Sequence, residues 1–163
     1  MSFDGLAQAV KDDDLNEPHA AIRYQLGTRH FKSGNEYVYV YNDGGASIGT
    51  GKYCVLKGIA TSITSGYSVT VTNASLIGYI AGVAQTTFAT GYFGFVMIRG
   101  TSLVTPDTGA ISCNVGKDLL LGTDGGFRPA VDSMTTGLAF AFTMNSFVTT
   151  VGTSKARIFN SVL

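Results

Sequence analysis

The first residue in this sequence whose surroundings point to chemistry is Ser47. Gly45-Ala46-Ser47-Ile48-Gly49 matches the G-x-S-x-G pattern of hydrolases. That pattern works where a strand–turn–helix elbow exposes the serine over an oxyanion hole. Here the residues after it, Gly49 to Leu56, run into a strand pattern instead. Both histidines, His19 and His30, also precede the serine, the reverse of the order in that hydrolase fold. Gly49-Thr50-Gly51-Lys52 has the look of a phosphate loop. The full motif needs glycine at 46 and Ser or Thr at 53, and the sequence has Ala46 and Tyr53. Both stretches read as glycine-rich turns, and the chain is expected not to be an enzyme.

Metal and redox chemistry find little support in the spacing. His19, His30, Cys54 and Cys113 lack the close pairing of zinc motifs. Asp12, Asp13 and Asp14 are adjacent, whereas a calcium loop spaces its acids. The expectation is no metal and no cofactor. The two cysteines each fall in a strand-like run and read as buried thiols, with a single disulfide left open. Asn73-Ala74-Ser75 is a glycosylation sequon, idle without secretion.

Tyrosines offer binding chemistry instead. Tyr37, Tyr39 and Tyr41 share one face of an alternating strand. Such a stripe stacks bases or sugars when it is exposed. More often it packs a sheet face or a subunit contact, because tyrosine offers both apolar area and a hydroxyl. Tyr37, Tyr39, Tyr41, Tyr92 and Arg99 are therefore the candidate subunit-interface residues.

The elements that must position these residues are strands. EYVYVYN at 36–42 and YSVTVTN at 67–73 alternate cleanly, and Tyr53–Leu56 forms a further short run. LIGYIAGVAQ at 76–85 and GYFGFVMIRG at 91–100 are denser apolar runs. Further strand patterns fall at 110–115, 119–122, 127–131, 138–144, 147–151 and 155–162. NDGG at 42–45 and TDGG at 123–126 supply turn residues that reach positive φ. Many short strands with such turns, and no strand–helix alternation, predict an all-β fold. The expected form is an antiparallel β-sandwich or barrel-like body over 22–163, with an extended N-terminal arm over 1–21.

That arm differs from the body. Phe3, Leu6, Ala7 and Val10 have helical spacing, followed by three aspartates and Pro18. So short a stripe is marginal alone in water and is stable only when docked. Residues 1–19 hold five acids (Asp4, Asp12, Asp13, Asp14, Glu17) against Lys11, a net of minus four. The whole chain is neutral, so the remainder carries plus four. An acidic arm on a basic body suits pairing with a neighbouring copy or another basic surface. A neutral chain has no nucleic-acid footprint.

Composition bounds the rest. The 163 residues suit one domain, large enough to bury a core without staples. Charged residues make up 13% of the chain, about half the usual share of a soluble domain. Gly, Ser, Thr and Asn replace them, as expected of a surface largely covered by partners. The start, MSFDGLAQAVKDDD, has neither the basic nor the apolar region of a signal peptide. Nor does any window suit a transmembrane helix, so synthesis in a reducing cytoplasm without membrane contact is expected.

Two stretches carry a family likeness. Residues 81–100, AGVAQTTFATGYFGFVMIRG, and residues 115–131, VGKDLLLGTDGGFRPAV, occur in that order. Together they resemble the small capsid decoration, or cement, proteins of tailed bacteriophages. The resemblance implies a β-rich protein, usually a homotrimer, on the outer surface of the mature shell. It implies the major capsid protein as partner and synthesis in the cytoplasm of a bacterial host. It also implies that the N-terminal arm takes part in the contact, through Phe3, Leu6, Val10, Asp12, Asp13, Asp14 and Leu15. The arm is longer and more acidic than the family pattern. Another virion β module, such as a head-fibre base or a tail or receptor-binding piece, is the alternative. A sugar-binding β protein would leave Tyr37, Tyr39 and Tyr41 exposed in a groove.

Overall fold

The computed structural model describes residues 9–57, 66–71, 80–107, 114–116, 118–122, 125–129, 141–144 and 154–158. Among the described residues, a 3₁₀ turn at Asp13–Asn16 comes first and the elements after it are strands. They are β1 (Arg29–Lys32), β2 (Asn35–Asn42), β3 (Tyr53–Leu56), β4 (Ser68–Thr70) and β5 (Ile80–Ala84). Then follow β6 (Phe93–Val104), β7 (Asp118–Leu121), β8 (Phe127–Pro129), β9 (Ala141–Thr143) and β10 (Ser154–Ile158). No described helix is long and apolar enough to cross a membrane. The expected strands at 110–115 and 147–151 fall wholly or mostly outside the described residues, as do Cys113 and residues 1–8.

The all-β expectation holds, with one change of type. Strands β2, β4, β3, β5 and β6 pair in that order, and β6 returns to pair with β2, closing a five-stranded barrel. The sequence suggested antiparallel pairing throughout, but β2 and β4 run parallel, with Tyr41 opposite Ser68. The reason lies in the NDGG turn. It does not fold β2 back onto β3; the chain continues through residues 43–52 before β3 begins, so β2 is left free to take β4. Along that link Ile48 bridges Phe88, and each donates a backbone N–H to the other's carbonyl at 3.0 Å.

Alternation along β2 and β6 sorts side chains into two cores. Val38, Val40, Cys54, Val69, Ala81, Ala84, Val96 and Ile98 form a cluster confined to the barrel strands, plugged by Ile48 and Phe88. These are the small and branched residues that fit a narrow lumen. Tyr37, Tyr39, Tyr53, Val55, Val83, Phe95 and Met97 lie on the other face. They pack outward against Leu15 and Tyr24 and against Val104, Leu119, Phe127, Ala156 and Ile158. The barrel is therefore covered from outside as well as filled from inside.

Strand β6 joins the two parts of the chain. Its first half pairs with β2 and β5, and its second half pairs with β10 from Gly100 to Val104. The second sheet then runs β10, β9, β7, β8. Gly100 sits at the handover with φ +127°, where an added Cβ would collide with Asn35. The Asn35 side chain accepts the Thr101 N–H at 2.9 Å. β7 and β8 pair antiparallel as the expected Asp-Gly hairpin requires, with Leu121 opposite Phe127, while the turn residues 123–124 lie outside the described residues. Tyr53 ties this hairpin to the barrel, donating its hydroxyl to the Gly122 carbonyl at 2.6 Å and its N–H to Gly125 at 2.9 Å.

Strand β1 has no alternating apolar pattern and was not foreseen. It forms because Ser33 and Gly34 both take positive φ, at 51° and 77°, in a tight turn that folds Arg29–Lys32 back on β2. As an outer strand it carries Arg29, His30 and Lys32, charges that discourage edge-to-edge pairing.

Candidate functional site

The acidic N-terminal segment finds its basic partners within its own chain. Asp12 reaches His30 Nε2 and Lys32 Nζ on β1, each at 3.2 Å. Its carboxyl is held below the usual value by the Lys32 and His30 hydrogen bonds. Asp14 is buried and accepts from Arg23 at 3.1 Å and from the Tyr24 hydroxyl in a short hydrogen bond. Leu15 is 2% exposed in the outer core. Three residues further on, Pro18 ends any helical course, and His19 pairs with Phe93 of β6 through two backbone hydrogen bonds of 2.8 and 2.9 Å.

Of the arm expected over 1–21, the described part from Lys11 onward lies against the body. Residues 11–24 are a strap laid across the outer face of the barrel. Asp14 and Leu15, assigned to a capsid-gripping arm, are committed to the body, because burial of one and ion pairing of the other hold them there. Val10 is half-buried against the same core. Asp12 and Asp13 stay at the surface, while Phe3 and Leu6 lie outside the described residues.

Beneath the strap lies an aromatic and polar nest. The Tyr39 hydroxyl lies 2.8 Å from His19 Nδ1 and accepts the Arg23 N–H at 3.3 Å. Tyr24 meets the Tyr39 ring edge-on at 5.3 Å and leans on Phe95 at 5.7 Å. Burial pushes up the phenols of Tyr39 and Tyr24, the latter also through Asp14. Burial also lowers His19, reinforced by the Arg23 charge, which favours a neutral ring. Its Nε2 has no hydrogen-bond partner. One ligand atom each from Asp14, Glu17 and His19 come within 4.8 Å of one another. Histidine and cysteine spacing alone does not reveal this trio. Its signal was the short spacing Asp14-x-x-Glu17-x-His19.

The tyrosine stripe divides. Tyr37 and Tyr39 are buried in the chain's own core, in one cluster with Leu15 and Tyr24 of the strap, which leaves them little surface for another subunit. Tyr41 is half-buried against Phe93 at 4.9 Å and opens onto a shallow groove with Ile22, Leu26, Ser68 and Gly91. Tyr92 and Arg99 are exposed. Ser47 is exposed on the link, with no helix after it. Cys54 carries a free thiol in the lumen, and burial raises its ionisation well above the ordinary value.

No protein-family model and no curated protein sequence matches the chain. Among solved structures, it is similar to the N base of head fiber gp8.5 in bacteriophage phi29, at 16% identity with a TM-score of 0.51. The likeness covers 78% of this chain and 98% of that one, so the barrel-centred fold described above is one that a phage head-fibre base also uses.

Proposed function

We propose that the chain is a non-enzymatic structural protein of a bacteriophage virion, seated on the outer surface of the head and binding the major capsid protein. The observation that carries this reading is the fold likeness, which takes in almost the whole of a head-fibre base. The sparse surface charge and the phage-like stretches at 81–100 and 115–131 agree with it. Burial of Tyr37 and Tyr39 speaks against a sugar-stacking stripe.

Two finer roles fit this place. A decoration protein reinforces the shell; a fibre base carries a further assembly outward. The fold likeness favours the second and the sequence resemblance the first. Either role suits a homotrimer, with Tyr41, Tyr92 and Arg99 the interface candidates still at the surface. Purified protein is expected to bind expanded empty capsids of the encoding phage, and light scattering is expected to give a trimer. Failure to bind, with the protein folded, rejects a head-surface role. Deleting residues 2–8 tests the gripping arm, since a longer deletion removes core residues such as Leu15. Full occupancy by the shortened protein rejects the arm.

A further inference from the structure

His19 is buried with its imidazole aimed at two carboxylates, and one of its nitrogens has nothing to bond. The residue is 2% exposed, and Nδ1 is engaged by Tyr39. Nε2 has no hydrogen-bond partner and faces Asp14 Oδ1 at 3.9 Å, too far for a hydrogen bond. Buried polar atoms are nearly always satisfied, so an orphan nitrogen calls for an explanation. Glu17 completes the group, its side chain 59% exposed, so the cluster opens to solvent on that side.

We propose that Asp14, Glu17 and His19 bind a divalent transition-metal ion, with zinc the best match. One imidazole and two carboxylates make a three-ligand set that leaves a fourth position for water. The imidazole disfavours calcium and magnesium, which prefer oxygen alone. The surrounding bonds already resemble those that orient metal ligands. Nδ1–H donating to the Tyr39 oxygen leaves the Nε2 lone pair facing the carboxylates, and the Tyr24 hydroxyl steadies Asp14 Oδ2. Tetrahedral ligands at zinc stand about 3.3 Å apart. The His19–Asp14 gap therefore needs a small contraction, and exposed Glu17 is free to swing in.

Arg23 is the competitor. Its guanidinium lies 3.1 Å from Asp14 Oδ1 and 4.0 Å from Glu17 Oε2, so a cation already neutralises the carboxylates. That side chain is 51% exposed and is able to turn out to solvent when a metal enters. The metal would then brace residues 14–19 of the strap against one another and fix the ring of His19, which already meets Tyr39 of β2 and Phe93 of β6, stabilising the folded chain because the unfolded one has no assembled site.

The test uses the tag-free full chain, stripped with EDTA and desalted. Zinc chloride is expected to raise the melting temperature, with calcium and magnesium chloride giving no shift. Cobalt(II) is expected to give visible d–d bands that zinc abolishes. Arg23→Gln should tighten zinc binding about tenfold or more, and Glu17→Gln should weaken it by a similar factor while melting like the parent in EDTA. Exposed Glu17 keeps the test sharp should a His19 variant misfold. Equal zinc affinity in Glu17→Gln, or calcium binding as tight as zinc, overturns the proposal. So does zinc binding by Arg23→Gln with none by the native chain, since Arg23 is then the permanent cation of the site.

Discussion

The two faces of β2 solve different problems. Val38 and Val40 look into a lumen filled by aliphatic side chains, Cys54 and the Phe88 plug. Tyr37 and Tyr39 look outward, and Tyr39 meets the polar strap through its hydroxyl. The lumen needs only volume, and hydrophobic burial supplies its stability. The outer face must also bind a segment carrying Asp14 and His19, so it needs hydroxyls at fixed places. A closed barrel makes this division possible, because its strands have an inside facing the lumen, and β2, β3, β5 and β6 also turn apolar side chains outward into the second cluster.

Changes on the two faces should therefore differ in kind. Phe88→Ala empties the largest side chain from the lumen and is expected to cost about 3–5 kcal/mol. Chemical denaturation would show the whole barrel weakened. Tyr39→Phe keeps the ring but leaves His19 Nδ1 and the Arg23 N–H short of a partner, at about 1–3 kcal/mol. Hydrogen exchange should quicken at the His19 and Phe93 amides while the Val38 and Val40 amides stay protected. Uniform loss of protection in both variants would erase the distinction.

Acid offers a milder probe of the outer face. The folded value of His19 lies below its ordinary 6.5, so the unfolded chain takes the proton first. Stability from this residue is complete above 6.5, declines as pH falls below it, and levels off beneath the folded value. In EDTA, His19→Gln should flatten that slope, as followed by melting between pH 7 and 5. Asp12 acts in a lower window, present above its ordinary 3.8 and lost as pH falls through its depressed folded value. The smallest effects belong to the lumen thiol and the link. Cys54 should resist a disulfide reagent until the protein unfolds. Ser47→Ala should change stability by under about 0.5 kcal/mol, and Ser47 should not react with a fluorophosphonate probe.

Strands were legible because their signal is local. The alternation in EYVYVYN and the dense run ending in Arg99 mark β2 and β6, and the Asp-Gly pair marks the β7–β8 hairpin. The parallel β2–β4 pairing was not legible, since it depends on where a long link delivers the chain. The strap escaped for a related reason. Asp14, His19, Tyr24 and Tyr39 meet only after the barrel exists, and a run of aspartates reads as solvated until Arg23, His30 and Lys32 are brought to it. Burial of the tyrosine stripe likewise depends on a covering that no window of β2 contains.

Strand β6 is also a load path. Its twelve residues span about 40 Å, and it belongs to the barrel at one end and the second sheet at the other. A pull on the second sheet reaches the barrel along the strand axis. The bonds from β6 to β2 and β5 are then loaded in shear and must fail together, whereas a peeling force would break them one at a time. In the head-surface role proposed above, the chain would meet such tension with a single continuous strut.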